Sequence, residues 1–471
     1  MPVNSFIDYP MSWKPDRSEL KRPVYLSLAA KLEEDILSGA LTPGTKLPPQ
    51  RELADFLDIN FTTVTRAYRI CEQKGLLYGK TGSGTFVTDT ASPDPDSSAL
   101  RGGHLIDLAT LSSFEGCHAM IRSSAKKTAG RNYFPKLLNE ADPAGMLHHR
   151  QAALQWAEPF GVRAEEEDPV IVSGKRTGLL TILTALFEPG DRIAVDEFTD
   201  PVFLDLAEML RLHPVPVQGD PDGMLPDALE RSCRQEEIKG VCLSPTCSDP
   251  AAAYIPHQRK QELAEVIENN HLCLVESDDY AFLAAGILPD YECPLSMMVP
   301  DQSVYLCGTS MALAPGLGVA YAFPGSAVRE RFLKTLARMN GQAPSLNAEI
   351  ACELITSGWA DVIMEEKKEL LAERNRIFDD LFPEMPAGRF PGFFRRLPLP
   401  PESLLGGMEG QRCEGFLQTA GIRVCHSDRF RVRKDDSSAS LSERFLRISL
   451  SSATTPRLKA GLQILKRELT R

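Results

Sequence analysis

Thr62, Thr63, Thr65, Arg66, Arg69 and Gln73 gather short hydroxyls and long hydrogen-bond donors within a single short stretch. At helical spacing they form one polar face, opposite Val64, Ala67, Tyr68 and Cys71, whose i, i+3, i+4, i+7 pattern makes a buried stripe. Hydroxyls and guanidinium groups presented together suit phosphate oxygens and base edges of duplex DNA. Just beyond, Lys80, Thr81, Gly82, Ser83, Gly84 and Thr85 supply a cation and two glycines where a backbone can approach a phosphate closely. From Ile59 to Gly84 the bases Arg66, Arg69, Lys74 and Lys80 face the single acid Glu72, so this side is positive. A helical hairpin with a merely solvated polar face is the bland alternative, and the adjoining hairpin argues against it.

The elements that must position these groups follow from local sequence. Pro48 and Pro49 fit only a helix start, after which Leu53, Ala54 and Leu57 share a face. Asp58 to Phe61 make a turn; a second helix starts near Thr62, the expected N-cap, and stops at Lys74 before Gly75. Leu76–Gly79 and Thr85–Val87 read as hairpin strands flanking the glycine-rich tip, which makes a wing. Leu26–Ser38 reads as an earlier helix with Leu28, Leu32 and Ile36 inward, and residues before Lys21 as an irregular arm.

The 471 residues imply more than one domain, and their charged and apolar fractions are those of a globular chain. The net charge of −12 is unevenly placed: through Asp89 eleven Lys/Arg balance eleven Asp/Glu, so the remainder carries all of it. An acidic body joined to a neutral unit with one basic face predicts salt-dependent, site-selective DNA contact rather than indiscriminate coating. Eleven cysteines without a CxxC pair or zinc spacing point to a reducing compartment. The start of the chain has no apolar signal core and no run reaches 18 apolar residues, so a soluble cytoplasmic protein without membrane association is expected.

A linker is expected at residues 90–103, where Pro and Ser dominate, between a DNA-binding domain at 1–89 and a body at 104–327 and 328–471. In the body, VIVS, RIAV, VPV, GVCLS, LCLVES, VYLCG and VAYAF are short β-branched runs separated by amphipathic helices. That alternation predicts a mostly parallel sheet covered on both faces. A helical stretch from about Val328 to Leu381 then leads into a smaller α+β lobe, with which a segment near the body's start is expected to pack.

Two resemblances follow from these segments. PVYLSLAAKLEEDILSGALTPGTKLPPQRELADFLDINFTTVTRAYRICEQKGLL and GSGTFV resemble the winged helix-turn-helix of GntR-type bacterial transcription regulators. That resemblance implies DNA contacts by Arg51, Thr62, Thr63, Thr65, Arg66 and Lys80 to Thr85. Asn60 and Phe61 replace the Ser and Arg frequent there. DPAGMLHHRQAALQWA, DPVIVSGKRTGLL, EPGDRIAVDEFTDPVF, SPTCSDP, VESDDYAFL, VYLCGTSMALAPGLGVAYAF and FLRISL, as an ordered set, resemble fold-type I pyridoxal-phosphate aminotransferases. The two parts together resemble the MocR-like regulators, which implies a homodimer built through the body.

In such a site Asp278 would pair with the pyridine nitrogen and Tyr280 would donate to the ring hydroxyl. Ser310 is present, but the imine lysine position holds Met311, whose thioether can neither attack a carbonyl carbon nor carry a proton. The phosphate arginine position holds Gly318, the ring-stacking tyrosine position Asp200, and the polar amide position Ser248. No covalent cofactor and no transamination are therefore expected, with noncovalent pyridoxal phosphate or an active enzyme as alternatives.

Some groups could still hold a ligand. Arg447 aligns with the carboxylate-binding arginine of the superfamily, or makes a structural salt bridge. Gly174, Lys175 and Arg176 open a helix, where an anion is favoured, or are plain helix-start residues. Asp278 and Tyr280 are either ligand-facing or structural. His148 and His149 are read as diverging and unable to share a metal, and no metal ligands are assigned. The expected function is a sequence-specific transcription regulator, binding double-stranded operator DNA, with a disabled aminotransferase-like body that senses a small effector, such as a carboxylate or amino acid.

Overall fold

Leu28, Leu32 and Ile36 recur every fourth residue, and all three are buried on one side of α1 (Val24–Leu37). They meet Leu53, Ala54 and Leu57 of α2 (Gln50–Leu57) and Val64, Ala67, Tyr68 and Cys71 of α3 (Phe61–Gln73). The buried Tyr68 hydroxyl donates to the Pro48 carbonyl at 2.9 Å, fixing the entry to α2. Strands β1 (Leu77–Lys80) and β2 (Gly84–Val87) close the hairpin antiparallel, with Lys80 opposite Gly84.

The computed structural model describes residues 11–80, 82–88, 105–139, 142–386, 388–432 and 444–470; the expected linker and Thr81 lie outside them. The chain divides into two units, Met1–Leu105 and Ile106–Arg471. Two expectations for the first unit need correction. Asn60, not Thr62, caps α3: its side chain accepts from the Thr62 backbone N–H at 2.8 Å, because Phe61 already has helical geometry. Residues 11–20 are no loose arm either, since Trp13 is buried in the core and its indole N–H donates to Asp35 at 2.8 Å; residues 1–10 of the expected arm lie outside the described ones.

The second unit begins with β3 (Ile106–Asp107), α4 (Ala119–Ala129) and α5 (Leu147–Ala157). It continues through β4 (Val170–Val172), α6 (Gly174–Leu186), β5 (Arg192–Asp196), α7 (Pro201–Leu210) and β6 (His213–Val217). A hairpin, β7 (Gly219–Asp220) and β8 (Gly223–Met224), precedes α8 (Pro226–Gln235) and β9 (Ile238–Leu243). Then come α9 (His257–Asn269), β10 (Cys273–Asp278), α10 (Ala281–Ala284), β11 (Ser303–Gly308) and β12 (Ala320–Pro324). Seven strands form one sheet in the order β4-β12-β11-β10-β9-β5-β6, parallel except for β12. Strands inside the sheet such as β9 and β11 are buried on both faces, which is why they read as continuous apolar runs, whereas the edge strand β6 is only partly covered. Gly178 lets α6 lie against the sheet, because a Cβ there would come within 2.8 Å of Leu306.

The helical stretch expected from Val328 to Leu381 consists of three helices: α11 (Arg329–Met339), α12 (Ser345–Thr356) and α13 (Trp359–Leu381). Left-handed backbone at Asn340 and Gly358 ends the first two turns of direction, and Pro344 precedes α12. The remaining elements are β13 (Phe394–Pro398), α14 (Gly410–Thr419), β14 (Ile422–Arg423), β15 (Cys425–His426), β16 (Phe445–Ser449) and α15 (Thr455–Leu469). They make a three-stranded sheet, β13-β16-β15, and a parallel pair of β14 with β3, so the first strand of the unit is spent on this smaller lobe. Phe378, Phe382, Leu446, Leu458 and Leu462 fill its core. Among the described residues no helix is long and apolar enough to cross a membrane.

Candidate DNA interface and candidate ligand site

On the first unit, α3 presents Thr62, Arg66 and Arg69 outward, and Arg51 stands exposed on α2. Neighbouring rings steady the two arginines: the Arg51 guanidinium lies 5.8 Å from the Phe61 ring centroid, and that of Arg66 lies 5.8 Å from Tyr25. Thr62 donates to Asn60 at 2.8 Å, and Thr65 donates to Gln50 at 2.8 Å, tying the start of α3 to that of α2. Thr63 and Thr65 are half-buried, so the most open donors are the arginines. Lys74, counted with the basic face, is engaged by Glu33 of α1. At the wing, Ser83 N–H returns to Lys80 at 2.8 Å, and Gly82 and Gly84 take φ of +77° and +117°. The sequence reading missed Lys46, whose stem lies against Gly84 and whose backbone bridges Phe86. Only the fold brings it to the wing, across 38 residues.

In the second unit the strands β5, β10 and β11 deliver Asp196, Asp278 and Gly308 to their carboxyl ends, the edge where open α/β sheets place ligands. Lys175, one residue into α6, reaches Asp200 at 2.7 Å and Asp279 at 3.2 Å. Burial opposes the ammonium charge, but Asp200 and Asp279 outweigh it and hold the amine well above the ordinary lysine value. Asp200 does two jobs, since its other oxygen caps α7 through Val202 N–H at 2.9 Å. Asp279, absent from the sequence reading, lies where a Cβ on Gly308 would stand, so that glycine makes room for it. Asp279 and Tyr280 lie just past the end of β10 at Asp278, in the turn into α10.

Asp278 is satisfied inside the protein, accepting from the Thr246 hydroxyl and, at 3.0 Å, from Tyr280 N–H. Tyr280 packs against Phe393 and Phe394, with ring centroids 5.8 and 6.0 Å away. Arg176 is exposed and pairs with Asp205 at 3.1 Å, away from Lys175. Arg447 meets Asp249 at 2.7 Å, donates to the Ala109 carbonyl, and lies 5.2 Å from the Phe430 ring centroid. Burial pushes the Asp249 carboxyl up to about 6 despite Arg447. Lys175, Asp200, Ser244, Ser248 and Asp249 enclose only about 20 Å³, room for a single water. Among the described residues, the buried Asp249 Oδ1, Asp279 Oδ1, Ser277 Oγ and Arg447 Nε have no hydrogen-bond partner.

The loop after β11 is held on both sides. Thr309 donates to the Val319 carbonyl at 2.6 Å, and the fully buried Lys367 of α13 donates to the Met311 and Leu313 carbonyls at 2.9 and 2.6 Å. Met311 is buried in an apolar cluster, Ser310 is half-buried, and Gly318 has φ of +58° beside Gly174.

A winged helix-turn-helix in one unit and an aminotransferase fold in the other define a two-part DNA-binding regulator. The model of bacterial regulatory proteins of the gntR family matches residues 24–87, and that of aminotransferase class I and II matches residues 110–464. The chain is 33% identical to the uncharacterized HTH-type transcriptional regulator YdeF of Bacillus subtilis, over all of this chain and 99% of that one. It is 24% identical to the pyridoxine biosynthesis transcriptional regulator PdxR of Corynebacterium glutamicum, over 76% of this chain and 79% of that one. The Pyrococcus horikoshii kynurenine aminotransferase shares the fold, with a TM-score of 0.70 at 18% identity over 79% of this chain and 92% of that one. The chain belongs to the GntR-type helix-turn-helix transcription regulators that carry an aminotransferase class I and II domain.

Proposed function

We propose that the aminotransferase-like body is noncatalytic and serves as the effector-sensing and dimerisation part of a cytoplasmic, sequence-specific regulator. The observation that carries this is Met311, buried where the family's imine lysine would stand and unable to supply an amine. The residues present do not fit covalently bound pyridoxal phosphate. Gly318 offers no phosphate cation, Asp278 already has its partners, and Lys175 is neutralised by Asp200 and Asp279. These ion pairs instead suit a latch. A carboxylate- or phosphate-bearing effector, an amino acid included, would compete with Asp249 for Arg447 and with the two aspartates for Lys175. Differential affinity for the latched and opened states would then shift the body between them. Two wings on a homodimer would read two operator half-sites.

Mixing the purified protein with pyridoxal phosphate and reducing with borohydride tests the reading. No imine absorbance and no lysine carrying a reduced adduct is the expected result. An adduct at one lysine, Lys175 or Lys367 included, together with amino-acid turnover, would restore the enzyme reading. Equilibrium dialysis that retains the cofactor without an adduct would instead make the protein a noncovalent pyridoxal-phosphate sensor.

A further inference from the structure

Glu349 of α12 is fully buried, and its two oxygens keep different company. Oε1 takes the Tyr133 hydroxyl at 2.7 Å and pairs with Arg131 at 2.9 Å. Oε2 faces two imidazoles, His148 Nε2 at 2.7 Å and His149 Nε2 at 3.0 Å. The rings stand 4.2 Å apart and 56° to one another. The expectation that these adjacent histidines diverge is therefore corrected. They occupy the second and third positions of α5, where no preceding helical turn blocks the side chains, and Glu349 lies between their two directions.

We infer that His148, His149 and Glu349 form a site for a divalent transition-metal ion. Their donor atoms lie within 4.8 Å of one another. Two imidazoles and one carboxylate suit zinc, cobalt or nickel rather than calcium or magnesium, which prefer all-oxygen shells. Bonds of about 2.0–2.1 Å in a tetrahedron set donor atoms roughly 3.3 Å apart, so the two nitrogen–oxygen distances have to open by a few tenths of an ångström. His148 can give that movement, because its side chain is 42% exposed at a helix start, and it leaves the fourth position open to water. Arg131 and Tyr133 hold the carboxylate by its other oxygen, as outer partners of a ligating carboxylate do. On binding, the ion displaces the Nε2 proton that each ring donates to Glu349, and each imidazole coordinates through Nε2 as its Nδ1–H form.

The surrounding charge sets the affinity. Arg131 also pairs with Glu353, which in turn takes Lys127 at 2.5 Å, so two acids already balance two bases. Without excess negative charge the ion exchanges with solvent, as a sensor site requires. Occupancy would tie α5 to α12, and Asn347 of α12 donates to the Leu317 carbonyl at 2.8 Å in the loop that follows Met311. The ion would thus bias the loop beside the latch.

Cobalt(II) titration of the full chain, followed by equilibrium dialysis and visible absorbance, tests the site. One cobalt per chain in the micromolar range, with ligand-field bands and no thiolate charge transfer, is expected. His148→Ala, at an exposed helix start, should lower the affinity at least about tenfold while the protein stays folded, and Tyr133→Phe, which keeps all three ligands, should lower it less. Equal binding by the wild type and His148→Ala, a thiolate band, or no bound cobalt at submillimolar metal would each overturn the assignment.

Discussion

Lys175 carries a positive charge into a region where two carboxylates wait for it, and removing it strands both. Lys175→Met should destabilise the body by about 3–5 kcal/mol in urea unfolding, because breaking a buried pair leaves uncompensated charge. Adding Asp200→Asn and Asp279→Asn should recover much of that loss; no recovery would mean that packing, not charge, holds Lys175. Lys367 tests burial differently. Burial pushes its amine down to about 7 from 10.5, so the folded state gives up a proton that the unfolded state keeps. Its contribution therefore rises with pH between about 7 and 10.5. The wild type should gain stability relative to Lys367→Met across that window, and a flat difference would contradict the assignment. At this scale the sequence marked Lys175 and Arg447 but not Asp279 or Asp249 as their partners. Ion pairs that close over 104 and 198 residues leave no local pattern.

Elements were more legible where burial is symmetric or strictly periodic. The sheet strands are short and, apart from the edge strand β6, mostly buried on both faces, and the α3 stripe of Val64, Ala67, Tyr68 and Cys71 is fully internal. The failures lie at ends and breaks. Thr62 looked like the cap, but the one-residue-earlier start of α3 gave that role to Asn60. The helical stretch after Val328 is there, but its division into three helices turns on left-handed backbone at Asn340 and Gly358. For α3 the functional prediction is specific. Arg66 is exposed on the outward face, so Arg66→Ala should weaken operator binding by about 1–3 kcal/mol if its guanidinium reads a base. Equal weakening on every duplex, with a smaller salt slope, would make it a phosphate contact. Gel-shift or anisotropy titrations on matched and scrambled duplexes distinguish the two.

For the whole molecule, charge placement and fold agree. A chain of net charge −12 binds DNA only if its cations are gathered, and here Arg51, Arg66, Arg69, Lys46 and Lys80 stand exposed on one small unit. Most of the remaining length belongs to a body of aminotransferase class I and II type, with Met311 buried inside it. The small unit is expected to select DNA sequence on behalf of that body. Selection of bound fragments from a random duplex pool at physiological salt measures it directly. Enrichment of one two-half-site sequence, with recovery altered by a carboxylate-bearing metabolite, is the predicted result; a recovered pool no different from the input would contradict the account.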